Sequence, residues 1–171
     1  MREVVIRNIL RFIALLCIQI LVLDNIYLGG YINPLIYVLF VLMLPNKLNK
    51  KYILLLSFLA GLCMDVYANM LGFHSLATTV MAFCRIMFAD KIITRGEDVR
   101  IDIPSIYSVA PQFFMYYSAL LIFIYNLVYY SIEMFSLANL PRILLSSVLT
   151  TVASLILIVV WQLIFLHKKK Q

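Results

Sequence analysis

Charge is scarce in this chain: only 13% of its 171 residues are Asp, Glu, Lys or Arg, where an average soluble domain carries roughly 25%. The shortage excludes a long solvated face, and with it an ordinary water-soluble surface. Acidic groups are fewest, at 8. No two of them share a helical face with a base, so paired-carboxylate acid–base chemistry has no obvious seat. The catalytic signatures HExxH and GxSxG are missing, as is a phosphate-cradling glycine-rich loop. With 2 histidines, His74 and scattered aspartates fall short of a metal-ligand set. Three cysteines, Cys17, Cys63 and Cys84, lie in apolar runs without a CxxC, so they are predicted to pack as small buried hydrophobes. This inventory predicts no enzyme activity, no cofactor and no metal.

What the chain has instead is apolar length. Hydrophobic residues make up 64% of it and mean hydropathy is +1.00. A soluble fold of this size could not bury that much apolar surface, whereas a bilayer needs none of it hidden. A crossing helix takes about 20 apolar residues. Runs at 12–28, 31–44, 52–68, 73–89, 106–130 and 143–166 predict six spans in one integral membrane domain, an all-α polytopic bundle. The second run is the shortest and also suits a re-entrant segment; Pro34 falls in its first turn, where proline is tolerated. The start of the chain resembles a signal peptide but lacks a small-x-small cleavage site before Asp24-Asn25, which predicts an uncleaved first span.

The net charge of +6 could suggest nucleic acid, but no zinc-finger spacing, RNP-like run or basic recognition helix accompanies it. The basic residues gather at span ends. Arg2, Arg7 and Arg11, then Lys47, Lys50 and Lys51, then Lys91, Arg95 and Arg100, then Lys168 to Lys170 account for 12 of the 14. Six spans put all four groups on one side. The positive-inside rule therefore predicts both termini in the cytoplasm, facing an anionic leaflet. The connection 90–105 mixes both charge signs and is expected to lie at the cytoplasmic interface, a possible docking segment for a cytosolic partner. Tyr27, Tyr31, Tyr52, Tyr67, Tyr107, Tyr129 and Tyr130 near span ends suit an aromatic belt.

Within spans, small residues mark helix contacts and large aliphatics mark lipid. Ser57, Ala60, Gly61, Met64, Asp65 and Ala68 form such a stripe on the third span, opposite Leu55, Leu59, Leu62 and Val66. Gly61 is expected to permit a close crossing. Ser75, Thr78, Ala82, Arg85 and Ala89 repeat the pattern on the fourth span. On the sixth, Ser147, Thr151 and Ser154 are expected to form a seam left open to a partner, because a terminal helix is usually peripheral. Ionisable groups in lipid invite a functional hypothesis. Asp24, Asp65 and His74 all fall toward the outer side and are expected either to line a crevice or to cap and link helices there. Arg85, one turn from the cytoplasmic end, is expected to snorkel to the headgroups. Gln19 and Asn126 are expected to bond between helices.

From 34 to 85 an apolar run ends in Leu44-Pro45 and a basic turn follows. A span then closes in Gly61-x-x-x-Asp65, and a short loop carries Leu71-Gly72-Phe73-His74-Ser75-Leu76. This third of the chain resembles the MreD family of rod shape-determining membrane proteins, with its G-[LF]-x-x-D element followed by [PL]-G-x-x-[AS]-L. The six-span layout and basic tail are similar too; spans one, five and six match only in hydropathy. The resemblance implies a fold like the substrate-capture subunits of energy-coupling-factor transporters. It also implies a non-catalytic role in cell-wall elongation in the bacterial inner membrane. The implied partner is MreC, and through it MreB, a RodA-type glycosyltransferase and a class B penicillin-binding transpeptidase. Gly61, Asp65, Gly72 and His74 would then be structural or partner-docking positions; His74-Ser75 occupies a slot that varies in the family. The alternative reading is a vitamin-capturing transporter subunit, though the first span lacks an Ala-x-x-x-Ala docking pair. A channel would need a filter motif that is not evident. Homo-oligomerisation is left open.

Overall fold

The computed structural model describes residues 2–25, 32–93, 104–105, 111–135 and 139–165. The Gly29-Gly30 turn, Tyr27, Tyr31, Tyr107, the Lys168–Lys170 tail and nearly all of the 94–105 connection therefore lie outside the described residues. Six helices follow in order: α1 (Arg2–Leu21), α2 (Val38–Leu42), α3 (Lys50–Ala68), α4 (Phe73–Ile93), α5 (Pro111–Met134) and α6 (Leu140–Phe165), with a 3-10 turn at Leu23–Asn25. Four apolar stretches, Asn8–Asn25, Lys50–Ala68, Pro111–Met134 and Leu140–Phe165, are long enough to cross a bilayer, and Phe73–Phe88 is a shorter apolar helix. The chain is an all-helical bundle with the make-up of a multi-pass membrane protein.

Successive helices pack as neighbours, α3 on α4, α4 on α5 and α5 on α6, while α2 touches α1, α3 and α4. Small residues decide the inward faces, as the stripes predict. Ser57, Ala60, Gly61, Met64 and Asp65 are buried on α3, and Leu55, Leu59, Leu62 and Val66 are exposed. Ser75, Thr78, Ala82 and Arg85 are buried on α4. The cysteines depart from expectation: Cys17 and Cys63 are exposed on the outer faces of α1 and α3, and Cys84 is half-buried. A lone small thiol is apolar enough to face lipid without cost. The most open helix is α1, with 17% of its apolar window buried against 50% for α5.

The second predicted span is corrected by the structure. Residues 33–36 are irregular and only Val38–Leu42 is helical. Proline biases the residue before it toward extended backbone and supplies no N–H, so Asn33-Pro34 delays the helix. Every residue from 34 to 45 is nonetheless buried. The segment runs antiparallel to α1, with Gln19 beside Pro34 and Ile36 and the Phe12 ring 4.7 Å from Phe40. It runs parallel to α6: Asn33 meets Thr150, Leu35 meets Ser154 and Met43 meets Gln162. From Thr150 to Gln162 a helix rises about 18 Å, so a broken strip of backbone covers more than half of an apolar core about 30 Å thick. It is the axial post of the bundle, walled by the five longer helices.

Irregular backbone at membrane depth survives only where protein satisfies it. Gln19 accepts from the Ile36 N–H (2.8 Å) and donates to the Pro34 carbonyl (3.1 Å). Ser154 Oγ accepts from the Leu35 N–H (2.9 Å), and Thr150 Oγ1 from the Asn33 N–H (3.3 Å). At the far end Arg85 donates to the Leu44 carbonyl and to Asn46 Oδ1 (2.8 Å), closing the post beyond α2.

Candidate functional site

The motif residues at 61–75 assemble into a joint between α3 and α4. A Cβ at Gly61 would collide with Ser75 Cα, Thr78 Oγ1 and the His74 carbonyl, so only glycine permits this crossing. One helical turn on, Asp65 crosses to the start of α4. Its Oδ1 accepts from the His74 N–H and its Oδ2 from the Ser75 N–H, both at 2.8 Å. A carboxylate thereby fills two donors that a helix N-terminus leaves open and sits on the positive end of its dipole. Meanwhile the Asp65 carbonyl accepts from the N–H groups of Asn69 and Met70, ending α3 with Asn69 left-handed at φ 52°. Gly72 completes the turn at φ 90°, a region that favours glycine. Asp65 is 2% exposed, so its oxygens serve the fold and do not face a crevice.

His74 points the other way, into the bundle. Its Nδ1 bonds to the hydroxyls of Tyr125 on α5 and Tyr37 on the post (3.3 Å), and those two hydroxyls lie 2.7 Å apart. The hydrogen-bonded triangle ties α4, α5 and the post together. Tyr129 lies against His74, ring centroids 4.7 Å apart.

Above this triangle opens a cavity of about 640 Å³, where α1, α3 and α5 end and the post, α4 and α6 begin. Its polar lining includes Asp24, Asn33, His74, Tyr129, Glu133 and Arg142. The structure thus brings Asp24 and His74 to one cavity and leaves Asp65 beneath it. Asp24 Oδ1 accepts from Gln19 (2.7 Å), the same amide that braces the post. The cavity occupies the end of the bundle remote from Lys47, Lys50 and Lys51, which cluster at the start of α3. Tyr129 and Tyr130 are buried here and do not join an outer belt, whereas Tyr52 and Tyr67 are exposed. Glu133 and Arg142 had no sequence signal: they lie in the last turn of α5 and the first turn of α6, and only the convergence of those helix ends with the others brings them to the cavity.

Two further expectations are overturned. Arg85 does not snorkel: it is 1% exposed and bonds Tyr117 (2.9 Å) as well as Leu44 and Asn46. Turning inward gives its N–H groups three fixed acceptors, one of them a carbonyl that α2 leaves unpaired. The seam of Ser147, Thr151 and Ser154 is not open to a partner, because all three are buried against α5 and the post. Thr151 accepts from Asn126 (3.0 Å), Thr150 bonds Tyr130 (2.9 Å), and Ser154 holds Leu35. The hydroxyls of Thr150, Thr151 and Ser154 find their partners inside the bundle, which turns this face of α6 inward. Gln19 and Asn126 bond between segments, as expected. Among the described residues no group of three or more His, Cys, Asp or Glu is placed to hold a metal ion. No family model matches the chain, and no curated protein or solved structure matches it either.

Proposed function

We propose that this chain is a non-catalytic scaffold of the MreD kind. In this reading it lies in the bacterial inner membrane with both termini cytoplasmic, and associates with MreC. Through MreC it reaches MreB, a RodA-type glycosyltransferase and a class B penicillin-binding transpeptidase, and so maintains cell shape. The observation that supports this best is the use made of the motif. Gly61, Asp65, Gly72 and the His74 backbone spend their chemistry on each other, which is what a rigid helix-hairpin joint needs and a reaction centre does not. The remaining contact surface is large aliphatic side chains, suited to lipid and to partner helices. Depletion should round and swell rod-shaped cells, and MreC should co-purify in mild detergent. Cys17 and Cys63, exposed on α1 and α3, give native positions for cross-linking to the MreC span. Unchanged cell shape together with no recovery of MreC would remove the assignment.

The cavity favours a second reading, a subunit that captures a vitamin-like solute for an energy-coupling-factor transporter. Depletion would then produce a vitamin requirement and leave cell shape alone.

A further inference from the structure

We propose that the cavity at the Asp24 end of the bundle is a binding site for a small organic cation carrying an ammonium group. Its volume, about 640 Å³, falls among those of small-molecule sites, roughly 300–1,000 Å³. Six segments converge on it, so its walls are set by packed helices. The lining carries Asp24 and Glu133 against Arg142, a formal excess of one negative charge. Arg142 acts electrostatically on Glu133, whereas the side-chain partner of Asp24 is the neutral amide of Gln19. Gln19 fixes that carboxylate through Oδ1 alone, leaving Oδ2 without a hydrogen bond among the described residues.

Aromatic faces supply the other half of ammonium recognition, because a cation over a ring gains roughly 0.5–2 kcal/mol. Tyr67, Tyr129 and Tyr130 all line the cavity. Tyr129 and Tyr130 meet edge to face at 5.3 Å between centroids, so the two rings stand crossed in the cavity wall. Their positions are held in advance: Tyr130 is bonded to Thr150 and Tyr129 is stacked on Tyr125. Met64, Met70 and Met134 complete an adaptable apolar rim. An anion would meet two carboxylates and a single guanidinium, itself in the field of one of them. The chemistry selects a cation, and the inference does not depend on the scaffold reading.

The test is calorimetric titration of the full chain in lipid nanodiscs with benzyltrimethylammonium, benzyl alcohol and benzenesulfonate. Saturable binding of the ammonium probe is expected, at least tenfold tighter than either of the others. Asp24→Asn keeps the acceptor for Gln19 and removes the charge, and it should weaken the cation at least tenfold. Should that variant fail to fold, Glu133→Gln decides, with a loss of at least threefold expected. No saturable binding, equal binding of benzyl alcohol, or wild-type affinity in the folded variants would each overturn the proposal.

Discussion

Two parts of this molecule solve the same problem, buried polar backbone in lipid, by opposite means. The α3–α4 joint keeps both helices regular and concentrates the solution in one side chain: Asp65 takes two N–H groups at once, and Gly61 brings the helices close enough for it to reach. The post at 33–45 breaks its helix and spreads the solution over Gln19, Thr150, Ser154 and Arg85, drawn from three helices. A concentrated solution is short in sequence and fails abruptly. A dispersed one is scattered in sequence and fails in steps.

The joint is where that contrast breaks most sharply. Gly61→Leu drives side-chain atoms into the α4 backbone, which cannot yield as a flexible side chain can. We expect a loss at or beyond the upper end of the roughly 1–3 kcal/mol typical of overpacking, seen as collapse of monodisperse protein on size exclusion. Asp65→Ala comes next, at about 2–3 kcal/mol, since orphaned buried donors each carry a desolvation cost. Asp65→Asn keeps one acceptor and should lose about half of that. Thermal unfolding in detergent ranks the three; equal behaviour of Asn and Ala would show that the two N–H bonds do not hold the joint.

This difference also explains what could be read from the chain alone. Gly61, Asp65 and Gly72 lie within twelve positions, and the stripe on α3 shows which side faces inward, so the joint was legible. Hydropathy also marks the long helices, because lipid-facing Leu55, Leu59 and Val66 need only be apolar. The post was not legible as a break, since apolar content is the same for a helix and for an irregular strip. Its sign is its partners, and these lie far away: Ser154 is 119 residues from Leu35. Read without the post, the hydroxyls of α6 look like a seam waiting for another protein, and Arg85 looks like a residue bound for the headgroups. Half of the cavity was visible in Asp24 and His74; Glu133 and Arg142 became visible only once the helix ends converged.

Gln19→Leu tests the dispersed solution at its most connected residue. The change preserves bulk but removes the bonds to Ile36, Pro34 and Asp24 together. Unmet backbone groups cost about 1–3 kcal/mol each in protein interiors, but the post can shift to share other partners, so we expect about 2 kcal/mol in all. Hydrogen exchange should localise the damage, with the Ile36 amide exposed and the His74 and Ser75 amides still protected. Equal loss of protection at both places would mean that post and joint are one cooperative unit.

The smallest effects separate most finely, because two of the three buried serines on α6, Ser147 and Ser154, are alike in burial and differ in what they hold. Ser154 Oγ accepts the Leu35 N–H, while Ser147 Oγ has no hydrogen-bond partner. Ser154→Ala leaves a backbone donor stranded and should cost about 1 kcal/mol, in line with the modest worth of hydroxyl bonds inside membrane proteins. Ser147→Ala removes a hydroxyl that already lacks a partner, so its stability should change by less than about 0.5 kcal/mol and can rise. Burial and helix are common to both, so packing alone predicts equal values. Unfolding measured side by side in the same micelle decides between the two accounts. If Ser147→Ala proves as damaging as Ser154→Ala, α6 is held by tight small-residue packing and the post owes it nothing specific.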